Sequence, residues 1–263
     1  LPSFNSDGIT LSYDVFGSGQ PILLIHGFAS NVEINWMSVG WVNTLVAAGY
    51  RVIAFDNRGH GKSQKLYDPA LYFAHEMADD AARLLDHLGI ERLPVMGYSM
   101  GARIAAFLAL NAPQRVSCAV FGGMGMNLIS GLEGSEAIIE ALTAESLADV
   151  TDKWGRQFRI FAEHSGADRA ALAACMISSR EPMPEADVRR IEVPVLVAVG
   201  ETDDMAGGAE ALARLLPQGE AFTIPRRDHM RATGDAEFKQ AALAFLSRHS
   251  PIIPGSEATG KNA

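Results

Sequence analysis

The chain has 263 residues, enough for one large domain or two small ones, and its 48% hydrophobic and 20% charged residues are those of a globular protein, not a disordered or fibrous one. Twenty-two Lys plus Arg against 31 Asp plus Glu leave a net charge of −9, spread along the chain, which argues against nucleic acid or an anionic membrane as partner. No apolar run approaches the ~18 residues of a membrane-spanning helix, and the longest, around Val193 to Val199, reads as a buried strand.

Residues 3 to 16 alternate apolar and polar around Ser6-Asp7-Gly8, the pattern of a β-hairpin. After Gly17-Ser18-Gly19 the run Pro21 to Ile25 is continuously apolar, as in a strand buried on both faces of a parallel sheet. That glycine-rich turn precedes a strand instead of opening a helix, so it is not a phosphate-binding loop. Arg51 to Phe55, Leu93 to Met96, Val116 to Phe121 and Val193 to Val199 are further β-rich runs, and Ala221 to Ile224 is a shorter one.

Helical stretches separate most of these strands. Residues 71 to 88 place Leu71, His75, Ala78, Ala82 and Leu85 at helical spacing, with Glu76, Asp79, Asp80 and Arg83 on the expected wet face. A second helix is predicted from Met100 to Asn111, stopping before Pro113, and a third over residues 235 to 248. A hairpin followed by alternating strands and helices predicts an α/β fold, a mostly parallel, doubly wound sheet with right-handed crossovers.

Between about Gly123 and Val193 lie some 70 residues with no convincing strand, rich in Ala, Leu, Glu and Met. They read as short helices forming an inserted cap, so the expected organisation is a core of residues 1–123 and 191–250, a helical cap of 124–190, and a flexible tail of 251–263. Cys118 and Cys175 fall in a predicted strand and a predicted helix, which implies two buried free thiols and no disulfide framework. The chain begins Leu1-Pro2-Ser3, which leaves room for a leader already removed; the cytoplasm is the default location.

Gly97-Tyr98-Ser99-Met100-Gly101 fits G-x-S-x-G, and its context gives the match weight: an apolar strand ends just before it and an Ala-rich helix begins just after it. A serine on a sharp strand-to-helix turn needs small neighbours, and the helix N-terminus beneath it favours developing negative charge. Ser99 is the candidate nucleophile. His26-Gly27-Phe28 follows the strand ending at Ile25, and Asp56-Asn57-Arg58-Gly59-His60-Gly61-Lys62-Ser63 follows the one ending at Phe55.

These three motifs, each after its strand and in this order, resemble the α/β-hydrolase superfamily from the first hairpin to about Ser247, in the manner of a serine carboxylesterase. The resemblance implies an α/β-hydrolase fold, an oxyanion hole from the backbone N–H groups of Phe28 and Met100, and a catalytic order of serine, acid, histidine. Of seven histidines only His164, His229 and His249 follow Ser99. His164 lies inside the expected cap and before the acid, His249 at the end of the last helix, and His229 in the loop where the family carries its base. The family pattern G-x-x-D after Gly200 points to Asp203, with Asp204 and Glu201 as neighbouring carboxylates; the loop Gly122 to Asn127 offers none.

His26, His60, Asp56 and Arg58 read as loop-shaping residues, since no third ligand stands at metal-site spacing. Met124, Met126, Met176, Met183 and Met205 read mainly as packing, with an adaptable acyl pocket as their other possible use. The implied function is ester hydrolysis through an acyl-enzyme by Ser99, His229 and Asp203, needing no cofactor and no metal, with a small-molecule ester as the partner. Lactonase, carbon–carbon bond hydrolase and perhydrolase activities use the same triad. A small-molecule receptor with a vestigial site is the alternative of another class. The sequence leaves oligomeric state and acyl preference open.

Overall fold

The computed structural model of the chain describes residues 2–131 and 134–251. Eight strands form one sheet: β1 (Ser3–Ser6), β2 (Ile9–Phe16), β3 (Gln20–Ile25), β4 (Tyr50–Phe55), β5 (Leu93–Tyr98), β6 (Val116–Gly122), β7 (Val195–Gly200) and β8 (Gly219–Ile224). Their spatial order is β1-β2-β4-β3-β5-β6-β7-β8. The β1–β2 and β2–β4 pairs are antiparallel and the other five are parallel. This is the mostly parallel sheet with flanking helices that the alternation of runs predicts.

The continuous apolar runs are strands because both of their faces are covered. Along β3, Leu23 and Ile25 enter one hydrophobic cluster while Ile22 and Leu24 enter the other, the period of two that a strand imposes. The helices α1 (Trp41–Ala47), α2 (Ala74–His87) and α3 (Met100–Asn111) follow β3, β4 and β5. α2 and α3 pack on the face of Leu23 and Ile25; α1 packs on the other face with the C-terminal helix, through Trp41, Leu45 and that helix's Phe238 and Phe245.

Two prolines explain where strands depart from the apolar pattern. Pro94 has no N–H to give the ladder, and the β5–β6 register shifts between Leu93 and Val95. Pro194 likewise delays β7, which begins at Val195 instead of Val193.

Between β6 and β7 the described residues form α4 (Asn127–Ser130), α5 (Ser135–Thr143), α6 (Lys153–His164), α7 (Arg169–Ser178) and α8 (Glu185–Val188), with no strand among them. Ile138, Leu142, Phe158, Ala162 and Leu172 from this segment join the same cluster as β3 and α3, so the segment shares their core. The chain closes with α9 (Ala209–Ala213), α10 (His229–Ala232) and α11 (Ala236–His249). Of the tail expected from Pro251 to Ala263, all but Pro251 lies outside the described residues. No described helix is long and apolar enough to cross a membrane.

Both faces expected for α2 are corrected, and His75 and Ala82 of the expected apolar stripe are only half-buried. Leu71 precedes the helix, in a single 3₁₀ turn, and is exposed; the buried stripe is Ala74, Met77, Ala78, Ala81, Leu84 and Leu85, and it includes Asp80. A carboxylate is tolerated there because Arg58 meets it: Nε to Oδ2 and Nη2 to Oδ1, both at 2.7 Å, with both side chains almost wholly buried.

Candidate active site

The parallel strands end together, and the site assembles at their carboxyl edge, where such sheets leave a crevice. Ile25 lies beside Phe55 and Gly97, and Tyr98 beside Gly122, so the loops after β3, β4, β5 and β6 converge.

Ser99 forms the turn from β5 into α3 with φ +52° and ψ −117°, a conformation costly for any residue with a Cβ. Its N–H donates to the Gly122 carbonyl at 2.8 Å, and its own carbonyl accepts from Ala102 at 2.9 Å, which holds the turn from both sides. The glycines two residues away on each side allow close passage: a Cβ on Gly97 would fall on the Gly101 carbonyl, and one on Gly101 on the Ile25 carbonyl.

His229 opens α10, and its backbone carbonyl takes the Tyr98 hydroxyl at 2.5 Å. Burial raises the Tyr98 pKa, so the phenol stays a donor. His229 Nε2 lies 3.0 Å from Ser99 Oγ, and Nδ1 lies 2.7 Å from Asp203 Oδ2. Asp203 follows β7 with its side chain fully buried, and its Oδ1 accepts the N–H groups of Met205 and Ala206, each at 3.0 Å. A carboxylate can only accept, so Nδ1 carries the imidazole proton and the Nε2 lone pair faces the serine.

The neighbouring candidates are placed elsewhere. Asp204 is exposed, and Glu201 accepts the Arg226 N–H at 2.7 Å. His164 is exposed at the end of α6, and His249 bonds Glu220 at 3.0 Å on the far helix.

Met100 is the first residue of α3, so its N–H has no acceptor within the helix. Phe28, in the loop after β3, lines the same cavity as Ser99 and stands next to Ala29, a second non-glycine residue at positive φ (+59°). Around it, His26 Nδ1 donates to the Gly27 carbonyl at 2.8 Å while Nε2 accepts the Asn57 N–H at 2.9 Å. Burial lowers the His26 pKa, which fits a neutral ring making one donation and one acceptance. Asp56 accepts from Val32 and Lys62 at 2.9 and 2.8 Å, joining the loops after β3 and β4. His60 Nδ1 bonds the Arg58 carbonyl at 2.9 Å, and burial together with the neighbouring His26 pushes its pKa down to about 3. The shaping role read for His26, Asp56, Arg58 and His60 therefore has specific hydrogen bonds behind it.

Ser99 and His229 open into a cavity of about 230 Å³ whose walls include Phe28, Ile34, Val39 and Met230, with Phe158 and Phe161 contributed by α6. The methionines singled out in the sequence do not line it. Met124, Met176 and Met183 are buried in the core, and Met126 and Met205 border a separate cavity beside Asp204. Val39, Phe158, Phe161, Met230 and the buried Asn35 are wall residues that sequence reasoning missed. Only Asn35 left a trace there, as a polar residue inside the apolar run Ile34 to Trp36.

Residues 20–124 match the α/β-hydrolase fold family. A Mycobacterium tuberculosis protein named putative non-heme bromoperoxidase BpoC is 30% identical, the match covering 84% of this chain and 91% of that one. The dihydrolipoyllysine-residue acetyltransferase component of the acetoin cleaving system of Pseudomonas putida is 28% identical over 88% of this chain; the match spans only 64% of that longer protein. Among solved structures, an esterase from Exiguobacterium antarcticum superposes with a TM-score of 0.77 at 20% identity, covering 92% of this chain and 97% of that one, which is a likeness of fold.

Proposed function

The chain belongs to the α/β-hydrolase family, and on that premise we propose that it is a serine hydrolase cleaving carboxylic esters, a carboxylesterase working through an acyl-enzyme. The observation that carries the reading is the unbroken relay from Ser99 Oγ through His229 to Asp203, at 3.0 and 2.7 Å. Ser99 Oγ attacks the ester carbonyl carbon as His229 Nε2 takes its proton, and the tetrahedral oxyanion rests on the N–H groups of Phe28 and Met100. Collapse breaks the bond to the alkoxy oxygen, which leaves with the proton from Nε2. Water, deprotonated by the same nitrogen, then attacks the acyl carbon and frees the acid and Ser99. Asp203 holds the tautomer throughout. In this reading residues 124–190 act as a cap that bounds the substrate cavity through Phe158 and Phe161.

The test is turnover of p-nitrophenyl butyrate by the wild-type protein and by Ser99→Ala. Loss of at least ~10³-fold in the variant supports the reading, and retention of a tenth of the rate defeats it. A receptor with a vestigial site would leave the wild type without turnover.

The bromoperoxidase name of the Mycobacterium tuberculosis relative favours a second reading. If hydrogen peroxide replaces water in the second attack, the same acyl-enzyme yields a peracid and free Ser99. Peracid released from p-nitrophenyl acetate and peroxide, absent with Ser99→Ala, would establish this activity beside hydrolysis.

A further inference from the structure

The loop after β6 offers no carboxylate, but the carboxamide of its Asn127 joins two elements of the site. Nδ2 donates to the Met205 carbonyl at 2.6 Å, and Oδ1 accepts from Arg103 Nη2 at 3.0 Å. A guanidinium can only donate and a carbonyl can only accept, so these partners fix which end of the amide is which. The Met205 carbonyl and the Ala206 N–H belong to one planar peptide unit, and that N–H donates to Asp203 Oδ1 at 3.0 Å. Holding the carbonyl therefore aims the donor that holds the acid. The same loop grips the next peptide as well: the N–H groups of Gly125 and Asn127 both donate to the Ala206 carbonyl at 3.0 Å.

Arg103 ties this arrangement to the nucleophile. It lies on α3, its N–H donates to the Ser99 carbonyl at 3.2 Å, and its side chain is wholly buried. Burial lowers its pKa to about 9, so it is charged at neutral pH. Nη2 donates to the Asn127 carbonyl at 2.7 Å, and Nη1 to the Leu128 and Glu181 carbonyls at 3.0 and 2.6 Å. Asn127 borders the separate cavity beside Asp204 and is not among the described residues that line the one at Ser99.

Resting on the reading of Asp203 as the acid of an ester hydrolase, we propose that Asn127 is a positioning residue for the triad. Its amide locks the Met205–Ala206 peptide to the nucleophile helix through Arg103, and so fixes the carboxylate that faces His229. If that peptide could rock, the carboxylate would turn with it and the 2.7 Å contact between Oδ2 and His229 Nδ1 would lengthen. The two ends of the amide have separate duties: Oδ1 anchors the loop on Arg103, and Nδ2 sets the acid.

Asn127→Asp separates those duties. Its carboxylate, held ionised by Arg103, keeps the acceptor and so the anchor, but it replaces the donor with an oxygen that faces the Met205 carbonyl. Two readouts are compared with the wild type: steady-state kinetics on p-nitrophenyl butyrate, and the proton NMR signal of the imidazole N–H that faces Asp203, found far downfield in water and identified by its loss in His229→Gln. The expected result is a fall of about ten- to hundredfold in kcat with KM within about twofold, because the cavity wall is untouched. The downfield signal should move upfield as the hydrogen bond to Asp203 weakens. Asn127→Ala, which removes both ends of the amide and leaves the backbone bonds of the loop, serves with the same expectations if the Asp variant does not fold. Wild-type kcat with an unmoved signal, or a loss carried by KM with an unmoved signal, overturns the proposal. Absence of ester turnover by the wild type would sink the hydrolase reading while the proton signal still decides this one. Wild-type turnover with kcat and signal unchanged in the variant would sink this one alone.

Discussion

Asp203 and His229 meet through one carboxylate oxygen: Oδ2 lies 2.7 Å from Nδ1, while Oδ1 is taken by two backbone N–H groups. This division predicts what an amide does in the same place. In Asp203→Asn the carbonyl oxygen stays with Met205 and Ala206, so the NH₂ group faces Nδ1 and the imidazole proton moves to Nε2, where it points at Ser99. We expect kcat to fall by ~10³-fold or more with little change in KM. Asp204→Asn, at an exposed carboxylate, should stay within about twofold of wild type. Steady-state kinetics of both variants on one ester checks the ranking, and its reversal would move the acid by one residue.

Ser99 sits at φ +52°, and the strain belongs to the backbone, not the hydroxyl. Ser99→Ala should therefore fold with wild-type stability and lose nearly all activity. Ser99→Gly should lose the same activity yet gain about 1 kcal/mol, the relief of positive φ less the greater unfolded-state entropy of glycine. Urea denaturation of the three proteins measures the difference. A Gly variant less stable than Ala would show that the turn is not strained.

The elements legible in the sequence were those whose environment is uniform. The runs Pro21 to Ile25 and Arg51 to Phe55 read as strands because both faces are covered, and Met100 to Asn111 read as a helix because Ser99 and Pro113 bracket it. Ser99 and His229 were legible because motif and chain order leave few candidates. Asp80 was not, because a charged side chain at the edge of an apolar stripe is buried only through Arg58, 22 residues away in sequence. The cavity wall was hidden for the same reason: Phe158 and Phe161 join the wall of the cavity at Ser99 through the packing of α6, which no local pattern encodes. The packing role read for the methionines holds for Met124, Met176 and Met183, which are buried in the core, while Met126 and Met205 are only partly buried.

The Arg58–Asp80 pair should be costly to break, since each half is buried to within a few per cent. Asp80→Ala leaves a guanidinium without its charge partner, and we expect a loss of ~3–5 kcal/mol. Glu185→Ala breaks a pair of similar length with Arg189, both side chains exposed, and should cost under ~0.5 kcal/mol. Denaturant midpoints give both values. Similar small losses would mean that water reaches the Arg58–Asp80 pair.

His60 makes the fold sensitive to acid. Its folded pKa of about 3 lies below the ordinary value of 6.5, chiefly through burial and then through His26. Its Nε2 has no partner among the described residues, so a proton there would be an uncompensated charge. Between those two values the unfolded chain binds a proton that the folded chain does not, so stability is full above about pH 6.5 and is lost as pH falls toward 3. The buried His26 acts in the same direction. In His60→Asn the amide can still donate to the Arg58 carbonyl but does not titrate, so the loss of stability between pH 7 and 4 should shrink by a few kcal/mol. Urea unfolding at several pH values compares the slopes, and parallel curves would assign the acid sensitivity to other groups.

The cavity at Ser99 is bounded on one side by α6, and that boundary predicts how activity depends on acyl length. Each methylene buried against Phe28, Ile34 or Phe161 adds up to ~0.8 kcal/mol, about fourfold in kcat/KM. A cavity of about 230 Å³ lies below the ~300–1,000 Å³ usual for ligand sites, so the gain is expected to stop after a few carbons. Across p-nitrophenyl esters from acetate to palmitate, kcat/KM should climb through short to medium chains and then drop. Phe161 is the place to move that limit, because it is only partly buried while Phe158 packs on Phe28 with ring centroids 5.7 Å apart. Phe161→Ala should shift the optimum to longer chains, while Phe158→Ala should also loosen the loop that carries Phe28 and lower activity on every ester. A steady rise to palmitate in the wild type, or activation at an oil–water interface, would mean that α6 swings clear of the site and bounds nothing.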